Sequence, residues 1–245
     1  MSNLLQSVKD NAGYVLSFLG IIVALFVIAF VLEKVAQKRS GKIEKVFTTR
    51  KVVVIVMFSA LSTVLMLFEI PMPFAPSFYK LDFSEVPIMI GSFAFGPAAG
   101  VMMEFVKILL KLVIKGTSTA FVGELANFSV GCSFVLTASS VYMFRKTKKN
   151  AILSCVIATV VLTVFGTAFN AVYLLPAFAK LYGMPMEVLL QMGEEVNPLV
   201  KSGDVVSFVI ACVAPLNLIK GFAISLITLL IYKPLSPILK AGQQD

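Results

Sequence analysis

Long apolar runs separated by short polar connections set the pattern of this chain. Val15 to Leu32, Val52 to Phe68 and Ala151 to Ala179 carry no charged residue. Val205 to Tyr232 is interrupted only by Lys220, and Ser118 to Phe144 only by Glu124. Val86 to Met103 is uncharged and continues to Ile114 through Glu104, Lys107 and Lys111. About 20 mainly apolar residues in a helix cross a bilayer. At about 1.5 Å per residue, 86–114 is too long for one span. Gly96-Pro97 marks the break, because proline cannot donate to the preceding turn and glycine frees the backbone there. The pattern predicts an all-α polytopic bundle of seven helices, counting the short one before Gly96. The first run exceeds the roughly 7–15 apolar residues of a cleavable signal, and its positive charges follow it, so it reads as a span.

Charge then orients the bundle. Lys34, Lys38, Arg39, Lys42, Lys45, Arg50 and Lys51 follow the first span, Arg145, Lys146, Lys148 and Lys149 follow the fifth, and Lys233 and Lys240 follow the last. With seven crossings all three segments face one side, and they hold 13 of the 21 basic residues. The other side has Lys9, Lys80, Lys115, Lys180 and Lys201. The positive-inside rule makes the first side cytoplasmic, so the N-terminus is expected outside and the C-terminus inside a cell membrane.

Composition narrows the function classes. Of 245 residues, 58% are hydrophobic and 14% charged, well below the roughly 25% charged of soluble domains. The mean hydropathy is +0.94 and the pI about 9.4. The net charge of +8 fits cytoplasmic loops beside a bilayer, and no nucleic-acid partner is implied. Histidine is absent, which removes imidazole metal ligands and Ser-His triads. Cys132, Cys155 and Cys212 lie singly in apolar runs and read as small buried hydrophobes. Ser40-Gly41-Lys42 lacks the rest of a phosphate loop, so no ATPase motif of that kind is present.

An ionisable or amide side chain inside a membrane is costly and marks a candidate site. Glu104, Lys107 and Lys111 share one helical face, as a self-neutralising pair with a snorkelling Lys111 or as part of a site. Glu124 and Asn127 are three apart, and Glu124 has Lys107 as one possible partner. Asn170 sits in an uncharged span and needs a hydrogen-bonding partner. Asn217 and Lys220 share a face just after Pro215, whose missing N–H frees a carbonyl one turn earlier. The connection from Glu69 to Glu85 holds Pro71, Pro73 and Pro76 with Phe74, Phe78, Tyr79 and Phe83. It reads as a packed lid, or as a loop resting on lipid. Asp82 or Ser84 can cap the short helix that follows. The acids Glu187, Glu194, Glu195 and Asp204 read as a solvated face. Together these outline an outward pocket in which amides pair with the edge of a planar heterocycle and aromatics stack on its faces. No metal site is expected without clustered carboxylates.

Leu81-Asp82-Phe83-Ser84-Glu85-Val86-Pro87, Phe95-Gly96-Pro97-Ala98-Ala99-Gly100, Gly123-Glu124-Leu125-Ala126-Asn127-Phe128, Asn170-Ala171-Val172-Tyr173-Leu174-Leu175-Pro176 and Pro215-Leu216-Asn217-Leu218-Ile219-Lys220-Gly221 occur in that order. The ordered set resembles the substrate-binding S components of energy-coupling-factor (ECF) vitamin transporters, in particular the riboflavin-specific RibU type, over about residues 48–238. The resemblance implies a six-helix bundle that binds riboflavin as transported substrate, without a cofactor. It also implies as partners a transmembrane coupling T component and two cytosolic ATPases. On the family pattern Phe78, Tyr79, Lys80, Leu81 and Asp82 match the lid, and Asn170, Asn217 and Lys220 match flavin-holding positions, with Asn127 added from the reading of the pocket. Ser59, Ala60 and Thr63 match the helix that meets the T component, or serve packing within the chain. Residues 1–47 are then an extra helix with a basic connector, and 48–245 the binding domain. The rival readings are an S component for a different vitamin, a stand-alone secondary transporter with a proton path over Glu104, Lys107 and Glu124, and an intramembrane enzyme.

Overall fold

The computed structural model describes residues 12–40, 48–117, 119 and 121–240; Lys9, Lys42 and Lys45 lie outside them. Its helices are α1 (Ala12–Ser40), α2 (Thr49–Leu67), α3 (Glu85–Phe95), α4 (Pro97–Lys115), α5 (Val122–Phe144), α6 (Lys148–Phe169), α7 (Leu175–Tyr182), α8 (Met186–Glu194), α9 (Val205–Phe208) and α10 (Ala214–Lys240). Two π-helical turns, Asn170–Leu174 and Val209–Val213, join α6 to α7 and α9 to α10. Five of the continuous helical runs are long and apolar enough to cross a membrane: 18–39, 49–67, 122–144, 148–182 and 205–237. The 19 residues of α4 have the length, but Glu104, Lys107 and Lys111 make it polar.

The break at Gly96-Pro97 is present. Gly96 has φ +99°, a conformation that favours glycine, and Pro97 is the first residue of α4, where a missing N–H costs nothing. The short helix makes its passage together with the segment before it. With 11 residues, α3 extends about 16 Å, far less than a bilayer's apolar core. It begins inside the bundle, because the buried segment Leu81, Asp82 and Ser84 carries the chain inward first. All residues of α3 are buried, as expected of a helix that is apolar all round.

α1 packs along α4 and α5. Phe18 meets Phe128 edge-on at 5.9 Å and Phe26 meets Phe105 at 5.8 Å. Near its far end the buried Glu33 accepts the backbone N–H of Ala98 at 3.0 Å, satisfying one of the orphan donors at the start of α4. The rest of α1 presents Leu16, Val23, Val27 and Val31 outward.

Of the two readings of Ser59 and Thr63, packing within the chain is the one seen, and Lys111 takes a different role from the one expected. Ser59 and Thr63 are buried within the chain, where their hydroxyls donate to Ile55 O (2.6 Å) and Ser59 O (2.8 Å) and lie against the α4 carbonyls of Met103 (3.3 Å) and Lys107 (3.4 Å). Their small side chains let α2 approach α4, so they present no face to a partner; only Ala60 of that trio is exposed. Lys111 does not snorkel: it pairs with Glu124, which also accepts from Thr117 and Thr119. Glu124 is therefore not the partner of Lys107.

Several helix ends meet on one side. Arg39 lies over Phe144 at 5.5 Å, Tyr142 meets Tyr232 edge-on at 5.8 Å, and Tyr232 donates to Phe93 O at 3.2 Å. The ends of α1, α3, α5 and α10 thus gather at one basic end, and the proline-rich connection covers the other.

Candidate functional site

The lid is built on a two-residue antiparallel ladder, β1 (Ile70–Pro71) with β2 (Lys80–Leu81), in register Ile70 to Leu81 and Pro71 to Lys80. Pro71 keeps its missing donor at the edge of this ladder. The loop between the strands is packed inward, with Ala75, Tyr79 and Leu81 buried against Val200, Phe208 and Cys212. The loop therefore packs on the bundle itself. Tyr79 donates its hydroxyl to Asn170 Oδ1 at 2.8 Å, and Asn170 Nδ2 donates to Gly166 O at 2.7 Å. Phe78 leans on Tyr79 (4.7 Å) and on Phe178 (5.8 Å). Burial pushes the Tyr79 phenol far above its ordinary value, which keeps it a hydrogen-bond donor.

A second clamp comes from Asn197, which sequence reasoning passed over within an acidic loop. Its Nδ2 donates to Phe74 O in the lid (3.1 Å) and to Ala211 O (3.0 Å). Ala211 is four residues before Pro215, so its carbonyl is the one that the missing proline N–H leaves open. The acids around Asn197 face outward as expected, but Leu189, Leu190 and Gly193 of α8 pack beneath them. Asp204 caps α9 by accepting from Val206 N (2.9 Å) and Ser207 N (3.2 Å).

Below the lid lies a pocket between α3, α5, α6 and α10. It has about 800 Å³ of empty space counted to its open mouth, of which about 140 Å³ is reachable by the centre of a water molecule. Phe78, Tyr79, Lys80, Asn127, Asn170, Asn217 and Lys220 line it, so seven of the nine expected substrate-binding residues come together. Leu81 points into the packing under the lid, and Asp82 stands behind Lys220. The apolar wall of Phe134, Leu162, Leu174, Phe178 and Leu216 carries no mark in the sequence that separates it from ordinary core. Glu85, also on the wall, does: it is an acid in the first turn of a helix whose one other polar side chain is Ser92.

Lys220 is held rather than free. Its Nζ donates to Asp82 Oδ2 at 3.2 Å and to Glu85 Oε1 at 3.0 Å. Glu85 Oε1 also faces Lys107 Nζ at 3.4 Å, and Lys107 pairs with Glu104 at 2.7 Å and donates to Ser84 Oγ at 3.1 Å. Asp82 Oδ1 accepts Ser84 N at 2.8 Å, fixing the turn into α3. Burial alone would push the Asp82 carboxyl up, but Lys220 and Lys107 hold it below its usual range. Five charges thus tie the lid to α3, α4 and α10 where a lone one would be expensive.

Polar groups on the wall divide into engaged and open ones. Asn127 Nδ2 donates to Gly123 O at 3.0 Å, and Asn170 is used at both ends. Asn217 Nδ2 and Glu85 Oε2 are buried without a hydrogen-bond partner among the described residues. Asn217 fits because Gly166 has no side chain: a Cβ there would stand 2.6 Å from Asn217 Nδ2. A buried donor and a buried acceptor left open on one pocket suit a ligand that brings the complementary pair.

The family model for ECF transporter substrate-specific components matches residues 50–232. The riboflavin transporter RibU of Staphylococcus aureus (strain TCH60) is 36% identical over 191 residues, covering 78% of this chain and 93% of that protein. The riboflavin transporter FmnP of Bacillus subtilis (strain 168) is 31% identical over 189 residues, 77% of this chain and 93% of that one. Among solved structures, one described as "Structure and mechanism of the S component of a bacterial ECF transporter" is 35% identical. It covers 78% of this chain and 97% of its own with a TM-score of 0.60.

Proposed function

We propose, from the premise that the chain belongs to the ECF transporter substrate-specific components, that it is the riboflavin-binding membrane subunit of an ATP-driven vitamin uptake system. The observation that carries the reading is the pocket under the Tyr79–Asn170 closure, with Asn217 and Glu85 offering an unused donor and acceptor on otherwise apolar walls. A flavin has the matching parts. Its flat ring stacks on aromatics, its imide carbonyl accepts from the asparagine amide, and ring N–H or ribityl hydroxyls donate to Glu85. Lys220 contributes from its fixed position. Riboflavin is the transported substrate in this reading.

In this reading the chain works with a transmembrane T component and two cytosolic ATPases, which supply the hydrolysis for which its own sequence has no phosphate loop. The subunit lies in the cell membrane with the lid and N-terminus outside and the basic end and C-terminus in the cytoplasm, supported by the gathering of basic segments at one end. Residues 48–245 form the binding domain, and 1–47 add a helix and its connector. The buried ion pairs of Glu104, Lys107, Lys111 and Glu124 give each charge a partner, which favours a structural role over a proton path.

Fluorescence titration of the detergent-purified chain with riboflavin, thiamine, biotin and folate tests the proposal. Saturable quenching of riboflavin with no competition from the others is expected, and Asn217→Ala weakens it about tenfold or more. Folded protein that binds another vitamin and not riboflavin overturns the reading.

A further inference from the structure

The charges around the lid pocket do not cancel. Asp82, Glu85 and Glu104 supply three carboxylates and Lys107 and Lys220 two ammonium groups, joined by contacts of 3.2, 3.0, 3.4 and 2.7 Å. The cluster therefore carries one net negative charge. Among the described residues no other charged side chain bonds to it. On α5, Glu124 pairs off with Lys111. At the mouth, Lys80 and Lys115 share Glu69, and these two lysine side chains are 41% and 52% exposed, so water screens them. α6 has no charge from Ala151 to Phe169, and α2 has only Arg50 and Lys51 at its start. The uncancelled charge also borders the cavity. Glu85 lines it with Oε2 buried and without a hydrogen-bond partner. Glu104 Oε1, likewise without one, stands behind Gly131 of the pocket wall, where a Cβ would come within 2.8 Å of it.

A flavin occurs in two forms that differ in charge. The oxidised ring is neutral. Two electrons and one proton convert it to a hydroquinone anion, with the proton on N5 and the negative charge spread over N1 and the C2 carbonyl. We propose, resting on the riboflavin reading of this pocket, that it takes the oxidised, neutral flavin and rejects the reduced anion, and that Glu85 sets the preference. Charge beside a flavin ring tunes its electronics. A unit charge about 10 Å away, at an effective dielectric of about 20, shifts an equilibrium by about tenfold. The neutral ring meets no such penalty: its imide N–H answers Glu85 Oε2 while Asn217 Nδ2 donates to an imide carbonyl. The chain itself transfers no electron; it discriminates between two forms made elsewhere.

The two-electron potential of bound riboflavin reports the ratio of the two affinities. Xanthine and xanthine oxidase reduce the detergent-purified full chain, loaded with riboflavin, under anaerobic conditions beside a reference dye. The bound potential is expected at least about 30 mV below that of free riboflavin, equivalent to about tenfold tighter binding of the oxidised form. Glu85→Gln makes the cluster neutral and leaves Lys107 with Glu104 and Lys220 with Asp82. It lowers the preference about fivefold, while Glu187→Gln on the exposed face of α8 leaves it unchanged. A bound potential equal to or above the free one overturns the proposal. So does a Glu85→Gln chain with the wild-type shift, or an equal loss in Glu187→Gln. If Glu85→Gln does not fold, the unmodified chain decides. In mild acid the hydroquinone takes a proton at N1 and becomes neutral, so the shift must be smaller there than in mild alkali; a shift of one size at both refutes the preference. A chain that fails to bind oxidised riboflavin at all refutes the functional reading, and this proposal with it, before any potential is measured.

Discussion

Lys107 is the most severe test of the charge network. Its side chain is fully buried, with Glu104 at 2.7 Å, Glu85 at 3.4 Å and Ser84 Oγ at 3.1 Å. Lys107→Met keeps the length and apolar stem but deletes the ammonium. Glu104 then has no cation beside it, while Glu85 retains Lys220 at 3.0 Å. Breaking a buried pair by removing one partner costs about 3–5 kcal/mol, because the remaining charge is stranded. Adding Glu104→Gln removes the stranded charge, and the residual loss falls to about 1 kcal/mol, the scale of a buried amide imperfectly bonded. The two changes are therefore expected to be non-additive by about 2–4 kcal/mol, as residues in one network are. Reversible unfolding in mixed micelles, followed by circular dichroism for the wild type, both single variants and the double variant, measures the cycle. A double variant whose loss equals the sum of the single losses would falsify the network as described, and so would a Lys107→Met chain as stable as wild type.

Four further outcomes follow from the geometry. Gly166→Ala places a Cβ 2.6 Å from Asn217 Nδ2 and should weaken riboflavin binding about tenfold or more by displacing that amide; unchanged titration curves would contradict the close approach. Tyr79→Phe removes the hydroxyl that closes the lid on Asn170, a bond worth about 1 kcal/mol. Riboflavin association in stopped-flow fluorescence should change by about fivefold, and rates equal to wild type would show that the bond does not hold the lid. Because the folded Asp82 carboxyl lies below its ordinary value, its contribution is complete above about pH 3.9. It is lost as pH falls through the lower folded value, so lid protection in hydrogen exchange should be flat in Asp82's contribution from pH 7 to 5, and Asp82→Asn should lower it at pH 7. Glu33→Gln weakens a charge-assisted cap on Ala98 N and should cost about 1–2 kcal/mol in micellar unfolding; no loss would mean that α1 is not part of the folded unit.

What the sequence made legible were the features that a membrane penalises. The long helices appeared as apolar runs, while α8 lay in a segment that read as a solvated acidic loop, and the Gly96-Pro97 break appeared because proline and glycine have fixed backbone consequences. Asn170, Asn217 and Lys220 stood out because amides and cations in apolar runs need partners. The partners themselves were hidden, since they come from distant segments: Lys220 meets Asp82 and Glu85 from the lid side, 138 and 135 residues away. Ser59 and Thr63 left two readings open for the opposite reason. Small residues four apart permit a close helix approach, but periodicity does not say whether the neighbour is α4 or another chain. Asn197 was masked by the acids around it, although a donor facing the carbonyl opened by Pro215 has a rationale in sequence.

The two π-turns follow from one local cause and serve one end. Each closes two residues before a proline, Pro176 after Asn170–Leu174 and Pro215 after Val209–Val213. A proline in a helix lacks the donor to residue i−4 and crowds that carbonyl, and one wider turn accommodates both. The first widened turn begins at Asn170, which holds the lid through Tyr79. The second contains Ala211, whose carbonyl receives Asn197, the other holder of the lid. Both attachments of the cover therefore fall where a proline has loosened its helix, while the charged anchor through Asp82, Glu85 and Lys220 lies deeper. A cover fixed at its root by ion pairs and at its edge by single neutral hydrogen bonds should open at the edge first, since those bonds are the weaker ones. Hydrogen exchange tests this order. Amides of 72–79 should exchange faster than those of 82–86 in the unliganded chain, and riboflavin should slow the first group more than the second. Equal protection of both segments would mean that the lid moves as one piece with α3.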